Sequence, residues 1–232
     1  MRIISACLVL FLITFLLVPK PAFAHSEYSL PQAGGGQVAE ALAGTVPLRF
    51  LPSHPLYFLI LIKENINRIF QPSAVKRAEF DLVVAGKRVK ETYLLIDKGD
   101  SKNAAKSIRR YSQRMKKMVK QINKARSQNQ EVEPQVMQMA ESLRLHEILL
   151  STTNTKWQLI EDKDNFDEYF SGGIAAFSET ILALDDVKPG IKDRFKTITT
   201  AGESAEKEAS PTPSGADLPQ ATSSAAPRRI IY

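Results

Sequence analysis

Apolar residues recur at alternating intervals of three and four over three long stretches of the chain, and this spacing constrains the fold more than any other feature. Such spacing places the apolar side chains on one face of an α-helix that packs against other helices. No stretch shows the two-residue alternation of a β-strand. The pattern therefore predicts an all-α fold, an antiparallel helical bundle of about five helices. The residues with this spacing are Val75, Ala78, Leu82, Ala85, Val89, Thr92 and Ile96; Ala104, Ile108, Tyr111, Met115, Met118, Ile122 and Ala125; and Val136, Met139, Leu143, His146, Leu150, Thr153, Trp157 and Ile160.

Turn residues predict where these helices end. Gly99 is a natural C-terminal cap, and the next helix follows at once, so the two helices should be antiparallel neighbours. Pro134 opens the next long helix. A shorter helix is predicted after the glycines 172–173, and Pro189 ends it. Its apolar residues are Ile174, Phe177, Ile181 and Leu184.

The stretch "LPSHPLYFLILIKENINRIF", residues 51–70, contains seven consecutive apolar residues from Leu56 to Ile62. This run is far shorter than the roughly 20 residues that a membrane span needs. Pro55 lies in the first turn of a predicted helix, and Pro72 follows its end. We expect this opening helix to be almost fully buried, with four residues facing the two helices that follow: Leu59, Ile62, Ile66 and Ile69.

The first 24 residues have the three-part pattern of a secretory signal peptide. Arg2 precedes an apolar run from Ile3 to Val18, and the small-residue triplet 22–24 predicts cleavage after Ala24. The alternative is an uncleaved anchor. The protein is therefore expected to be secreted or extracytoplasmic, in the periplasm or at the cell surface, and tethered if the signal stays attached. Cleavage would remove Cys7, the only cysteine, and with it any disulfide or thiolate chemistry.

Composition divides the rest of the chain into three parts. Residues 25–50 carry consecutive glycines and no sustained period, which predicts a flexible N-terminal segment. Residues 51–199 form the predicted helical domain. Residues 200–232 are rich in Pro, Ser and Ala and poor in large apolar groups, which is typical of a disordered tail.

Charge is distributed unevenly within the helical domain. Residues 63–126 hold 18 basic and 6 acidic side chains, whereas residues 127–195 hold 6 basic and 13 acidic ones. The predicted helix from Lys102 to Arg126, here called the basic helix, has ten Lys and Arg and no acid. A domain with one basic and one acidic half could pair with itself or attract an anionic partner.

Most charges of the basic helix are predicted to point away from its apolar seam. With Ile108 at heptad position a, eight of them fall at positions b, c and f, and Arg114 and Arg126 are left to reach neighbouring helices. One interpretation is a solvated face that keeps the protein soluble. The other is a binding site for a polyanion such as anionic lipid or a wall polymer. The eight residues are Lys102, Lys106, Arg109, Arg110, Lys116, Lys117, Lys120 and Lys124.

Motifs for catalysis or metal binding are incomplete. The sequence "HEILL" begins like a zinc-protease helix, but Leu150 stands where the second histidine must be, so His146 is expected to be a core residue. Asp162 and Asp164 have calcium-loop spacing without the later ligand and glycine. A new N-terminal His25 could chelate copper only with a distant second histidine. We therefore expect no catalytic residue, no cofactor, no metal and no enzyme activity. Nucleic acid is not expected as a partner, since aromatic interleaving and recognition motifs are missing.

Three stretches resemble one bacterial helical family. They are the Pro-x-x-Pro-Leu-Tyr opening at 52–57, the Ala-x-Lys-Arg pair at 74–77 and the Lys-Gly-Asp turn at 98–100. The chain from about 50 to 125 thereby resembles domain of unknown function 5667. The resemblance implies an exported or membrane-tethered helical module and supplies no catalytic residues. Phe58 and the basic character of the basic helix depart from the family pattern.

Two functions remain open from the sequence. The first is a non-catalytic protein-interaction or scaffolding module of the bacterial envelope, with an unidentified protein partner. The alternative is a peripheral binder of anionic membrane or cell-wall polymer that uses the basic helix.

Overall fold

The computed structural model describes residue 30, residues 32–159 and residues 166–196, and within them all regular structure is helical. This confirms the predicted all-α bundle. The described residues form six α-helices where about five were expected, and a 3-10 turn (Lys192–Arg194) follows the last of these. The helices are α1 (Gly35–Gly44), α2 (Tyr57–Ile69), α3 (Ala74–Asp97), α4 (Ser101–Ser127), α5 (Glu133–Gln158) and α6 (Phe166–Asp185).

Helices α3 and α4 form the central hairpin of the bundle. Gly99 adopts the left-handed conformation, with φ +74°, which confirms its predicted role as a cap. The Asp100 side chain accepts a hydrogen bond of 3.2 Å from the backbone N–H of Asn103 and so caps α4. Helix α5 packs on α3, and α6 packs on α4. Every residue of the predicted apolar seams that the structure describes is buried.

Helix α6 begins earlier than the sequence indicated. Its first residue is Phe166, although the spacing predicted a start near Ile174. Phe166 and Phe170 are buried, and the Phe166 ring lies 4.5 Å from that of Trp157. Burial of these rings extends the helix backwards through the glycines 172–173, which had suggested a loop. Packing thus outweighs the low helix propensity of glycine.

The adjacent glycines of α6 should respond in opposite ways to alanine. A Cβ atom on Gly173 would lie 2.8 Å from Cγ1 of the buried Ile108, whereas one on Gly172 would meet nothing within 4 Å. We expect Gly173→Ala to lower the free energy of unfolding by about 1–3 kcal/mol through overpacking. Gly172→Ala should raise it by about 0.5–1 kcal/mol, since alanine favours helix. Urea denaturation of both variants measures this, and equal effects would contradict the close α4–α6 packing.

A correction concerns residues 35–44, which lie in the segment predicted to be flexible. They form α1, which packs on α5 and buries Val38 and Ala41. The Lys90 ammonium donates a hydrogen bond to the carbonyl of Leu42 at the end of this helix. A ten-residue helix is marginal alone, so these tertiary contacts, absent from the local pattern, stabilise it.

Several predictions concern residues outside the described ranges. They are the signal peptide (1–24), the N-terminal His25, the calcium-like Asp162 and Asp164, and the disordered tail (200–232).

Candidate functional site

Helix α2 lies on the bundle with its apolar face outward, which is the reverse of the orientation expected for the opening helix. Leu59, Ile62 and Ile66 are about half exposed, at 50%, 50% and 47%. Ile69 and Phe70 are more exposed still, at 73% and 79%. The prediction that Leu59, Ile62, Ile66 and Ile69 face the following helices is therefore wrong. We call the exposed side chains of Phe58, Leu59, Ile62, Ile66, Ile69 and Phe70 the outward face of α2.

The inward side of α2 is polar. Tyr57 and Glu64 are buried, and Arg68 is partly buried. Their spacing of seven and four residues places them on one helical face. They meet polar groups that α3 and α4 also bury, so α2 is held by hydrogen bonds and ion pairs. This pairing explains why the apolar side chains are left outside.

One buried cluster, here called the Arg88 network, joins α2 to α3. Arg88 is 1% exposed, forms an ion pair of 2.6 Å with Glu91 and also contacts Glu64 and the Tyr57 hydroxyl. Tyr57 donates a hydrogen bond of 2.8 Å to Glu91, and Lys87 pairs with Glu64 at 2.6 Å. The two carboxylates are thus balanced by two cations, which lowers the cost of burying them.

Burial shifts the titration of this network. It raises the pKa of Glu91, an effect that the neighbouring Arg88 opposes. Burial and the Glu91 charge raise the pKa of Tyr57 above its ordinary value, so the hydroxyl keeps its proton and remains a donor. For Arg88, burial lowers the pKa. The neighbouring Glu91, Tyr57 and Glu64 together raise this pKa by more, so its net shift is upward. The network is a structural ion-pair cluster.

A second polar cluster joins α2 to both α3 and α4. Asp81 is fully buried and accepts from Arg68 Nε at 2.9 Å and from Arg114 Nη1 at 3.0 Å. Arg114 also donates to the side chain of Asn65 on α2 at 3.1 Å. The heptad assignment had left Arg114 to reach a neighbouring helix, and it does so here.

The predicted polyanion-binding residues form an exposed row on α4. Seven of the eight are exposed, and Arg110 is half-buried with its guanidinium 5.3 Å from the centre of the Tyr57 ring. Among the described residues, none of the eight has an ion-pair partner. Lys106 donates a hydrogen bond to Asn103, and Arg109 lies over the Tyr169 ring.

The basic row comes next to α2 at Arg110, whose guanidinium lies over the Tyr57 ring of that helix. Partial burial lowers the pKa of Lys117, and the positive charges of Arg114 and Arg68 lower it further. Arg68 belongs to α2, so Lys117 lies close enough to that helix to feel its charge. The part of the basic row around Arg110 and Lys117 therefore lies next to α2, whereas Arg109 lies over the Tyr169 ring of α6.

The described ranges contain no group of three or more His, Cys, Asp or Glu side chains that could hold a metal. His146 lies in the core, 2% exposed, with its ring 5.8 Å from that of Tyr111. Among the described helices, none is long and apolar enough to cross a membrane.

The buried polar face of α2 was not predicted from the sequence. Tyr57, Glu64 and Arg68 share one face, and the spacing of Asp81 and Arg88 on α3 is also seven residues. Two polar rows of matched period on consecutive helices are the signal that could have indicated a buried polar contact. The unbroken apolar run from Leu56 to Ile62 concealed it.

Comparison with known families supports the resemblance stated above. Residues 49–143 match the family model described as Domain of unknown function (DUF5667). The matched part contains α2, α3, α4 and the first part of α5, and so both polar clusters and the basic row. No curated protein sequence and no solved structure gave a match.

Proposed function

We propose, from the match of residues 49–143 and the outward face of α2, that the protein is a non-catalytic module of the bacterial envelope that associates peripherally with an anionic membrane surface. The observation that supports the proposal is the apolar outward face on the helix next to Arg110 and Lys117 of the basic row, which have no ion-pair partner among the described residues. An interfacial helix of this kind buries its apolar side chains at the boundary of head groups and acyl chains. It does not cross the bilayer.

Magnitudes favour a reversible association. Each Lys or Arg close to an anionic membrane contributes about 1 kcal/mol, and burial of apolar surface contributes about 25 cal/mol for each Å². Both surfaces contribute to the binding free energy, so neither the outward face nor the basic row has to supply all of it. Screening of the charges by salt should weaken the association, since the Debye length is only about 8 Å at physiological ionic strength.

A protein-interaction or scaffolding role is the second candidate. Ile62, Ile66 and Ile69 are spaced by four and three residues, which is the spacing of a face that packs against another helix. Exposed apolar patches of this kind also mark protein interfaces. The two functions differ in what the cations contribute, because a helical partner needs the isoleucines and does not need the basic row.

Flotation with vesicles distinguishes the two functions. We expect residues 25–232 to bind phosphatidylglycerol vesicles and not phosphatidylcholine vesicles. The triple change Lys116→Glu, Lys117→Glu and Lys120→Glu should weaken binding about 100-fold, because each reversal removes at least about 1 kcal/mol. The triple change Ile62→Ser, Ile66→Ser and Ile69→Ser should also weaken it, since the apolar contact is lost.

The matched control is Leu182→Ser, which alters an exposed apolar residue on α6 that is remote in sequence from α2. It should leave vesicle binding unchanged. Binding that survives both triple changes would exclude the membrane function. In that case, recovery of one crosslinked protein partner that depends on the isoleucines alone would support scaffolding.

A further inference from the structure

A groove with a volume of about 480 Å³ lies between α2, α3 and the segment 46–50. Its residues on α2 and just before it run from Leu56 to Asn67, and those on α3 run from Phe80 to Glu91. Each run covers twelve residues, whose eleven helical rises extend about 16 Å, so the groove is elongated along the two helices. Its volume is in the range of small-molecule sites, roughly 300–1,000 Å³.

Apolar side chains form the walls of this groove. They come from α3 (Phe80, Val83), from α2 and the residue before it (Leu56, Leu59), and from Phe50 of the 46–50 segment. The Phe50 ring stacks on that of His54, just before α2, with 4.3 Å between the ring centroids. The walls are therefore suited to an unbranched hydrocarbon chain.

The charges around the groove do not cancel. Glu64 and Glu91 line it, but both carboxylates are engaged by Arg88 and Lys87 in the Arg88 network. Arg49 and Lys63 also line it, are exposed, and have no ion-pair partner among the described residues. The rim therefore has two uncompensated positive charges beside an apolar channel.

We propose that this groove binds a free fatty acid, with the acyl chain along α2 and α3 and the carboxylate at Arg49 and Lys63. Guanidinium and carboxylate form two parallel hydrogen bonds, which suits one compact anionic head. Because Arg49 and Lys63 are both positively charged, they should bind a carboxylate head group more tightly than an uncharged one. This inference rests on the proposed function in that both bring lipid to α2, but the groove residues differ from the outward isoleucines.

Displacement of a dansyl-labelled undecanoic acid from the protein produced from the full-length sequence tests the proposal. Dodecanoate should displace the probe at micromolar concentration. Dodecanol, which has the same chain and no charge, should be about fivefold weaker. Equal displacement by dodecanol would overturn the assignment of the head group. Displacement by lysophosphatidylglycerol without displacement by dodecanoate would overturn the choice of a fatty acid.

Variants separate the groove from the membrane surface. Val83→Trp fills the groove and should abolish dodecanoate binding while vesicle association persists. Lys63→Glu should weaken dodecanoate binding, whereas the charge-matched control Lys98→Glu, at an exposed residue that does not line the groove, should not. The triple isoleucine variant should lose vesicle association and keep dodecanoate binding. Undiminished dodecanoate binding by Val83→Trp with an unchanged melting temperature would overturn the groove proposal alone.

Discussion

Replacing Arg88 with alanine is expected to lower the free energy of unfolding by about 3–5 kcal/mol. The guanidinium is buried between Glu64, Glu91 and the Tyr57 hydroxyl. Its removal leaves two buried carboxylates with Lys87 as their only remaining cation in the network. The loss should also release α2, whose inward face depends on these contacts.

Urea denaturation at neutral pH measures the Arg88→Ala effect. The matched control is Lys76→Ala, which breaks the exposed pair of Lys76 with Glu79 at 2.7 Å. It should cost less than about 1 kcal/mol, as exposed ion pairs do. Removing the charges together, by Arg88→Met with Glu64→Leu and Glu91→Leu, should recover much of the loss. A loss of stability in Arg88→Ala no larger than in the control would contradict the buried network.

Stability should fall as the pH falls below neutrality, because His146 is buried without compensation. Burial lowers the pKa of His146 from its ordinary value of 6.5 to about 3, and its Nδ1 has no hydrogen-bond partner. Between these two values the unfolded chain binds a proton that the folded chain does not. The contribution is therefore fully present above the unfolded pKa and is lost progressively as the pH falls towards the folded one. Between about pH 7.5 and pH 5, the free energy of unfolding should fall by about 2 kcal/mol because of His146.

Denaturation curves at several pH values, for the protein and for His146→Leu, test this expectation. The variant has no imidazole to protonate, so its stability should depend less on pH over that interval. The imidazole packs closely against Gly86, where an added Cβ would lie 2.8 Å from Nε2, so His146→Leu will also change the packing there. The comparison uses the slope of the unfolding free energy with pH, which this packing change does not affect. Identical slopes for both proteins would show that His146 accepts a proton in the folded state.

The seams of α3, α4 and α5 could be predicted because their information is local. An apolar residue every 3.5 positions, as in the run from Ala104 to Ala125, defines both the helix and the face that it buries. The start of α6 and the existence of α1 could not be predicted in this way. Phe166 is helical because it packs against Trp157, and α1 is helical because it packs on α5. Both depend on contacts with another helix, which the local pattern of each segment does not contain.

The candidate site was predicted in part. The exposed direction of the basic row followed from heptad positions alone, as did the inward direction of Arg114. The groove was not predicted, because its walls come from α2, α3 and the segment 46–50, which the fold brings together. The free cations Arg49 and Lys63 are inconspicuous in the sequence and become notable only beside apolar walls.

Helix α2 shows most clearly where local information ends. Pro55 and Pro72 predicted a helix between them, which agrees with residues 57–69, and the length of the apolar run excluded a membrane span. Which face it turns inward was decided by the tertiary structure. Asp81 and Arg88 are buried on α3, and the polar side of α2 supplies Arg68 to the first and Glu64 to the second, in addition to their pairs with Arg114 and Glu91. Leaving those charges unpaired would cost more than exposing several isoleucines, so the apolar face lies outside.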